Sequence, residues 1–266
     1  MARAMWDRAA GRNRDLLYNK LSIAEAEALA PQGMVRTLLD TMGAGSAPYV
    51  IVAQLPPTAE ELAAAKISPE VAREKLAGGV PATFRLIEDK PPATSQAWLA
   101  ARYLSDHASV LPAEIDQAQF AFFGTTLAGQ PQQRPRWKRG IDAVERQIGE
   151  LLGEIYAKRY FPAANKAAMA DLVGNLRKAM AANLGELAWM GPETRKEAEA
   201  KLNAFTPKIG APDVYKTYDG LVITPTSALA NKANAEKWAA DFQIARIGKP
   251  VDRAEWFMLP QMVNAY

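Results

Sequence analysis

The 266-residue sequence has no cysteine and a single histidine, His107. Without cysteine there is neither a disulfide framework nor a thiolate metal site, although cysteine-free chains occur in any compartment. One imidazole falls well short of the three or four His, Cys or carboxylate ligands that zinc usually takes. Charge of one sign is not in excess either. The 32 basic and 29 acidic residues leave a net charge of +3, too balanced to imply a nucleic acid or an anionic membrane by itself. No stretch approaches the roughly 20 apolar residues of a membrane span. The first residues, with Arg3, Asp7, Arg8, Arg12 and Arg14, lack the apolar centre of a signal peptide. Fixed-period repeats and low-complexity linkers are also missing. What remains is a globular composition, 49% hydrophobic and 23% charged, over a length that suits one large domain or two small ones.

The patterning is mostly helical. A helix-prone stretch covers residues 3–17. Ser22 and Glu25 have the spacing of a capping box for a helix that Pro31 stops. Residues 32–42 continue the helical pattern until Gly43 and Gly45, and residues 49–53 form the best strand candidate of the first half. Thr58 with Glu61 opens a helix to Lys66, and Ser68-Pro69 opens one that Gly78-Gly79 closes. Pro81, Pro91 and Pro92 then predict a loop over 78–94. Helices are expected over 95–110 and 112–125, and a long one over 136–160 between Pro135 and Pro162. That long helix carries Trp137, Ile141, Val144, Ile148, Leu151, Leu152 and Ile155 as an apolar stripe. Asn165 is placed to cap a second long helix reaching Leu187, Gly191-Pro192 starts a third to Phe205, and a last one runs from Ser227 to Gly248. Residues 218–223 read as a brief strand. Short connections between long amphipathic helices imply antiparallel neighbours.

The tail opens with Asp252 and Glu255 at capping-box spacing, a short helical turn that Pro260 ends. Met262-Val263-Asn264-Ala265-Tyr266 reads as extended chain, in which an Asn amide offers both a donor and an acceptor to a peptide backbone. The fold class is therefore mainly α, a multi-helix domain of long antiparallel helices with a few short strands and a C-terminal extended edge strand.

Other groups that could carry chemistry read as structural. His107 lies one helical turn from Tyr103, an ordinary surface pair. Arg134, Arg136, Lys138 and Arg139 flank Trp137, a pattern that can grip nucleic acid. Trp137 belongs to the apolar stripe, however, and Asp142, Glu145 and Glu150 follow to cancel the charge, so a partly ion-paired face is expected. Glu60-Glu61 and Asp213 with Asp219 have no base, nucleophile or metal beside them. Trp98, Trp189, Trp238 and Trp256 are expected in the core.

Five ordered blocks carry a resemblance. LLYNK (residues 16–20), RWKRGIDAVERQIGELLGEIYAKRYF (136–161), LAWMGPETRKEAEAKL (187–202), KIGAPD (208–213) and VDRAEWFMLPQMVNAY (251–266) together resemble the zinc metallopeptidases of the neprilysin and endothelin-converting-enzyme family. The match is weakest over 53–93. The resemblance implies residues 1–249 as a helical cap domain facing the catalytic domain across a cavity, and residues 250–266 as the start of the catalytic domain. It further implies that Asn264 and Ala265 hold a peptide substrate, the Asn side chain and the Ala carbonyl gripping its backbone in a strand-like pose. Family members continue into an H-E-x-x-H helix and a distal zinc-binding Glu, so the chain is expected to be an internal fragment. By the same resemblance one zinc ion, the catalytic residues and a partnering catalytic half lie outside it, the chain alone is inactive, and the location is periplasmic or extracellular. The rival reading is a free-standing helical peptide-binding or protein-interaction module without catalysis.

Overall fold

Proline and glycine set the borders of most helices. The computed structural model describes residues 17–264 except 32, 57, 65, 67, 69 and 71–77. The expected helix over 3–17 and most of the one opening at Ser68-Pro69 lie outside the described residues. The chain divides into two compact units, Met1–Pro131 with Ala239–Pro250, and Gln132–Trp238 with Val251–Tyr266.

In the first unit β1 (Asn19–Leu21) pairs antiparallel with β2 (Val50–Val52), Lys20 opposite Ile51. Between them run α1 (Ile23–Glu27) and α2 (Met34–Thr41). Ser22 Oγ accepts from Glu25 N while the Glu25 carboxylate accepts from Ser22 N at 2.7 Å, the reciprocal capping box expected from the sequence. Ala26, Val35, Leu39 and Ala44 form a small core, with Leu21, Val50 and Phe84 packed against it. After α3 (Ala59–Ala64), the predicted loop over 78–94 is instead α4 (Val80–Glu88) and the start of α5 (Pro92–His107). Pro81 and Pro92 sit in first turns, where proline's missing N–H has no intrahelical partner to lose. A 3₁₀ turn over Ala108–Val110 leads to α6 (Ala113–Gln119), which widens into a π-helix over Phe120–Leu127.

The second unit holds three long helices, α7 (Arg136–Tyr160), α8 (Ala163–Glu186) and α9 (Pro192–Ala204). Helix α7 follows Pro135 and ends before Pro162, as its sequence implies, but kinks at Ile148 (φ −136°, ψ 37°). Pro162, not Asn165, is the N-cap of α8. Arg195 at the start of α9 donates to Leu187 O at 3.0 Å, closing the end of α8, and Arg177 of α8 reaches Leu202 O at 3.0 Å. α10 (Ala228–Ile244) contributes residues 228–238 to this unit and 239–244 to the first. The expected strand over 218–223 is a turn. Tyr218 takes φ +54° and stacks on Trp238 at 4.7 Å, whose Nε1 donates to Asp219 O at 2.9 Å. A fold dominated by helices with one two-stranded sheet among the described residues matches the class expected from the sequence. None of the described helices is long and apolar enough to cross a membrane.

Three expectations about tryptophan burial fail. Trp137 is 65% exposed and Trp189 76%, and Trp98 is exposed as well, while Trp238 and Trp256 are half-buried. Helical periodicity puts side chains on one face, and burial needs a second element against that face.

Candidate functional site

The tail bearing Asn264 is held by small residues of α7. Behind the kink, Gly149, Gly153 and Ala157 recur every four residues and are buried. A Cβ built on Gly149 would stand 2.5 Å from Leu259 Cδ1, and one on Gly153 would stand 2.5 Å from Pro260 Cδ. The two glycines therefore let the tail backbone and its side chains lie directly on the helix. Gln261 Nε2 adds a 3.4 Å bond to Gly149 O, and Met262 N closes a turn on Leu259 O at 3.0 Å.

Glu150, on the same face, is buried and anchors the loop after α9. Its carboxylate accepts from Lys216 N at 2.9 Å and pairs with Lys216 Nζ at 2.8 Å, while its own N–H donates to Tyr218 Oη at 3.4 Å. Burial raises the Tyr218 phenol above the ordinary tyrosine value. Further along the loop, Lys166 of α8 donates to Ala211 O at 3.0 Å and pairs with Asp213 at 2.6 Å. Gly210 takes φ +71° with the Phe161 ring directly behind it, so both its conformation and its lack of a side chain are used. Lys208 completes the chain of contacts by donating to Glu255 O of the tail. Asp252 Oδ1 accepts from Ala254 N at 2.8 Å, so the expected helical turn there is an Asx-type turn.

Asn264 is exposed, on the rim of a cleft of about 470 Å³. Val173 of α8, Phe205, Ile209, Trp256 and Met262 give the cleft apolar walls. Residues 262–264 pair with no strand among the described residues. Ala265 lies outside the described residues. A neighbouring cleft of about 460 Å³, lined by Lys166, Arg177 and Asp213, shares the 206–209 segment.

His107, Asp219 and the basic cluster around Trp137 line neither of these clefts. His107 is buried at 7% exposure rather than at the surface. Its ring stacks on Tyr103 at 4.0 Å, and its Nδ1 lies 2.9 Å from Tyr103 O. Arg134 pairs with Asp142 at 2.6 Å, the ion-paired face expected for the basic cluster. Asp219 accepts from Thr217 Oγ1 at 2.7 Å, and the Glu61 side chain lies outside the described residues. Zinc does not fit the donors that the described residues offer. The sequence supplies one imidazole, itself stacked and hydrogen-bonded, and among the described residues no three His, Asp or Glu side chains converge on one point.

The model for "Peptidase family M13" matches residues 1–212. The chain belongs to this family. Within it, the chain is 28% identical over 172 residues to a neutral endopeptidase of Lactobacillus helveticus, which is 64% of this chain and 26% of that protein. Neprilysin-3 of Drosophila melanogaster is 29% identical over 147 residues, 53% of this chain and 19% of the relative. The zinc metalloprotease Zmp1 of Mycobacterium tuberculosis, solved in complex with an inhibitor, superposes over 99% of this chain and 36% of its own, with a TM-score of 0.80 and 31% identity. The M13 chain described here thus spans between 19% and 36% of the length of these relatives.

Four of the five sequence blocks meet in the second unit: residues 136–161 as α7, 187–202 through α9, 208–213 as the pinned loop, and 251–264 as the tail. Asn264 was nameable from its block. Gly149, Gly153 and Ala157 at four-residue spacing are a readable signal for close packing, whereas nothing local in the sequence joins Glu150 to Lys216.

Proposed function

We propose that this chain is the non-catalytic helical portion of a zinc-dependent M13 metalloendopeptidase. In this reading residues 1–249 form a wall of the cavity that admits peptides, and residues 250–266 begin the catalytic domain. Asn264 and Ala265 align the peptide backbone. The zinc ion and the residues that activate water belong to a catalytic half outside these 266 residues, in the same polypeptide or another, and this chain alone hydrolyses nothing.

The observation that carries the reading is the likeness to Zmp1 over 99% of this chain but 36% of that metalloprotease. The single histidine and the lack of cysteine in the sequence support it. So does the position of Asn264, exposed at an apolar cleft where its amide can meet a peptide while Met262 and Trp256 contact side chains. A periplasmic or extracellular location rests on family resemblance alone, and cell fractionation tests it.

In the peptidase joined to its catalytic half, Asn264→Ala leaves substrate groups unpaired in a partly dry cleft. A lost bond of that kind costs about 1–3 kcal/mol, roughly ten- to hundredfold in kcat/KM. Zinc content stays at the parent level. Unchanged peptide hydrolysis would remove Asn264 from the site, and chelator-sensitive hydrolysis by the 266-residue chain alone would overturn the non-catalytic assignment.

A further inference from the structure

The tail reaches Asn264 only four residues after Pro260, and a turn closed by Met262 N and Leu259 O occupies the interval. A displacement of Leu259-Pro260 therefore has little chain in which to dissipate before it reaches the amide. The two glycines beneath that dipeptide differ in what they tolerate. A methyl at Gly149 meets the end of the Leu259 side chain, which can change rotamer. A methyl at Gly153 meets the Pro260 ring at 2.5 Å, and Gln261 Oε1 at 2.9 Å. A proline ring has no rotamer to yield, so the tail backbone itself has to move.

We propose that Gly149 and Gly153 of α7 are positioning residues for Asn264, their bare backbone setting where the tail lies and hence where the amide meets a peptide. This rests on the assignment of Asn264 as a substrate-aligning residue. Gly153 is the stricter of the two. Neither touches substrate; both act through Leu259, Pro260 and Gln261.

The test uses the peptidase joined to its catalytic half and compares Gly153→Ala, Gly149→Ala, Asn264→Ala and Gly140→Ala. Gly140 lies on the same helix with nothing within 4 Å of a built Cβ, so its variant controls for the helix-favouring effect of alanine and keeps parental activity. Misplacement of an aligning group by about 1 Å can cost up to a hundredfold, so Gly153→Ala is expected to lower kcat/KM by about ten- to a hundredfold at unchanged zinc content. Gly149→Ala loses less, and adding Leu259→Ala, which vacates the space, restores activity. The Gly153→Ala/Asn264→Ala double variant loses no more than the worse single one, because both changes act through one amide. Additive losses in the double variant would overturn the proposal, as would parental activity in Gly153→Ala beside an impaired Asn264→Ala. Parental activity in Asn264→Ala would instead remove the aligning role itself, and the positioning role with it. If Gly153→Ala does not fold, the Gly149→Ala loss and its Leu259→Ala rescue decide alone: no loss, or no rescue, rejects the seat.

Discussion

Helix α7 behaves as two helices on either side of its kink at Ile148. Before the kink, its large apolar residues face outward: Trp137, Ile141 and Val144 are all exposed. Beyond it, the buried residues are two glycines, an alanine and a glutamate, while Ile155 of the same predicted stripe is 65% exposed. Hydrophobicity and burial are nearly inverted within one 25-residue element. The difference is a neighbour. The second half has the 251–264 tail and the 208–218 loop lying on it, and small residues allow the closest approach. Burial in this helix follows the partner that is present, and a charge is buried where its partners come with it.

The comparison is broken most effectively at Glu150. Its carboxylate accepts from Lys216 N and pairs with Lys216 Nζ, so Glu150→Ala removes both of these contacts at once. Removing one partner of a buried pair costs about 3–5 kcal/mol. Because the lysine side chain retains 28% exposure, the expected loss falls below that range, at about 2–3 kcal/mol. Urea unfolding of the 266-residue chain measures it. A change below about 0.5 kcal/mol would mean that the second half of α7 is as loosely held as the first.

Tyr218 sharpens the same contrast at a smaller scale. Its hydroxyl accepts from Glu150 N, and Tyr218→Phe should cost about 0.5–1.5 kcal/mol at neutral pH. Burial, the largest cause, raises the phenol's folded value above the ordinary value near 10. A raised value means the folded state holds its proton more tightly than the unfolded state. The associated stability is complete below about pH 10 and is lost as pH climbs through the folded value. The gap between parent and Tyr218→Phe should therefore narrow above pH 10. Tyr215, raised by burial and by Glu154, titrates in both proteins and cancels from the difference. A gap that stays constant to strongly alkaline pH would show that burial does not raise the Tyr218 phenol in the folded protein.

What the sequence made legible was local. Proline at 135 and 162 bounded α7, the Ser22–Glu25 spacing named a reciprocal cap, and the resemblance of residues 251–266 singled out Asn264. These signals depend on a few neighbouring residues and survive any tertiary arrangement. The misreadings were long-range or positional. Pro81 and Pro92 look like loop residues unless their place in a first turn is known. Trp137 looks like core until its 65% exposure is known. The candidate site was legible only through the resemblance that named Asn264 and Ala265. The support of the tail was not legible, because Gly149 and Glu150 gain meaning only when Leu259 and Lys216, more than sixty residues away, are brought beside them.

The smallest expected effect lies in the first half of α7. Trp137 and Ile141 are 65% and 46% exposed, and Lys138 Nζ lies 5.3 Å from the indole ring centroid. An exposed cation–π contact contributes about 0.5–1 kcal/mol at most, and surface substitutions away from special features usually fall within about 0.5 kcal/mol. Trp137→Ser with Ile141→Ser should therefore leave the urea midpoint of the 266-residue chain almost where it was. Truncating two buried residues of that size would instead cost several kcal/mol, about 3–5 for a tryptophan alone. The double variant also removes two large apolar side chains from the surface, so self-association at high concentration should fall. Sedimentation and urea unfolding on one preparation read both quantities. A large drop in the midpoint would place Trp137 and Ile141 in a core, and the two halves of α7 would then differ only in side-chain size.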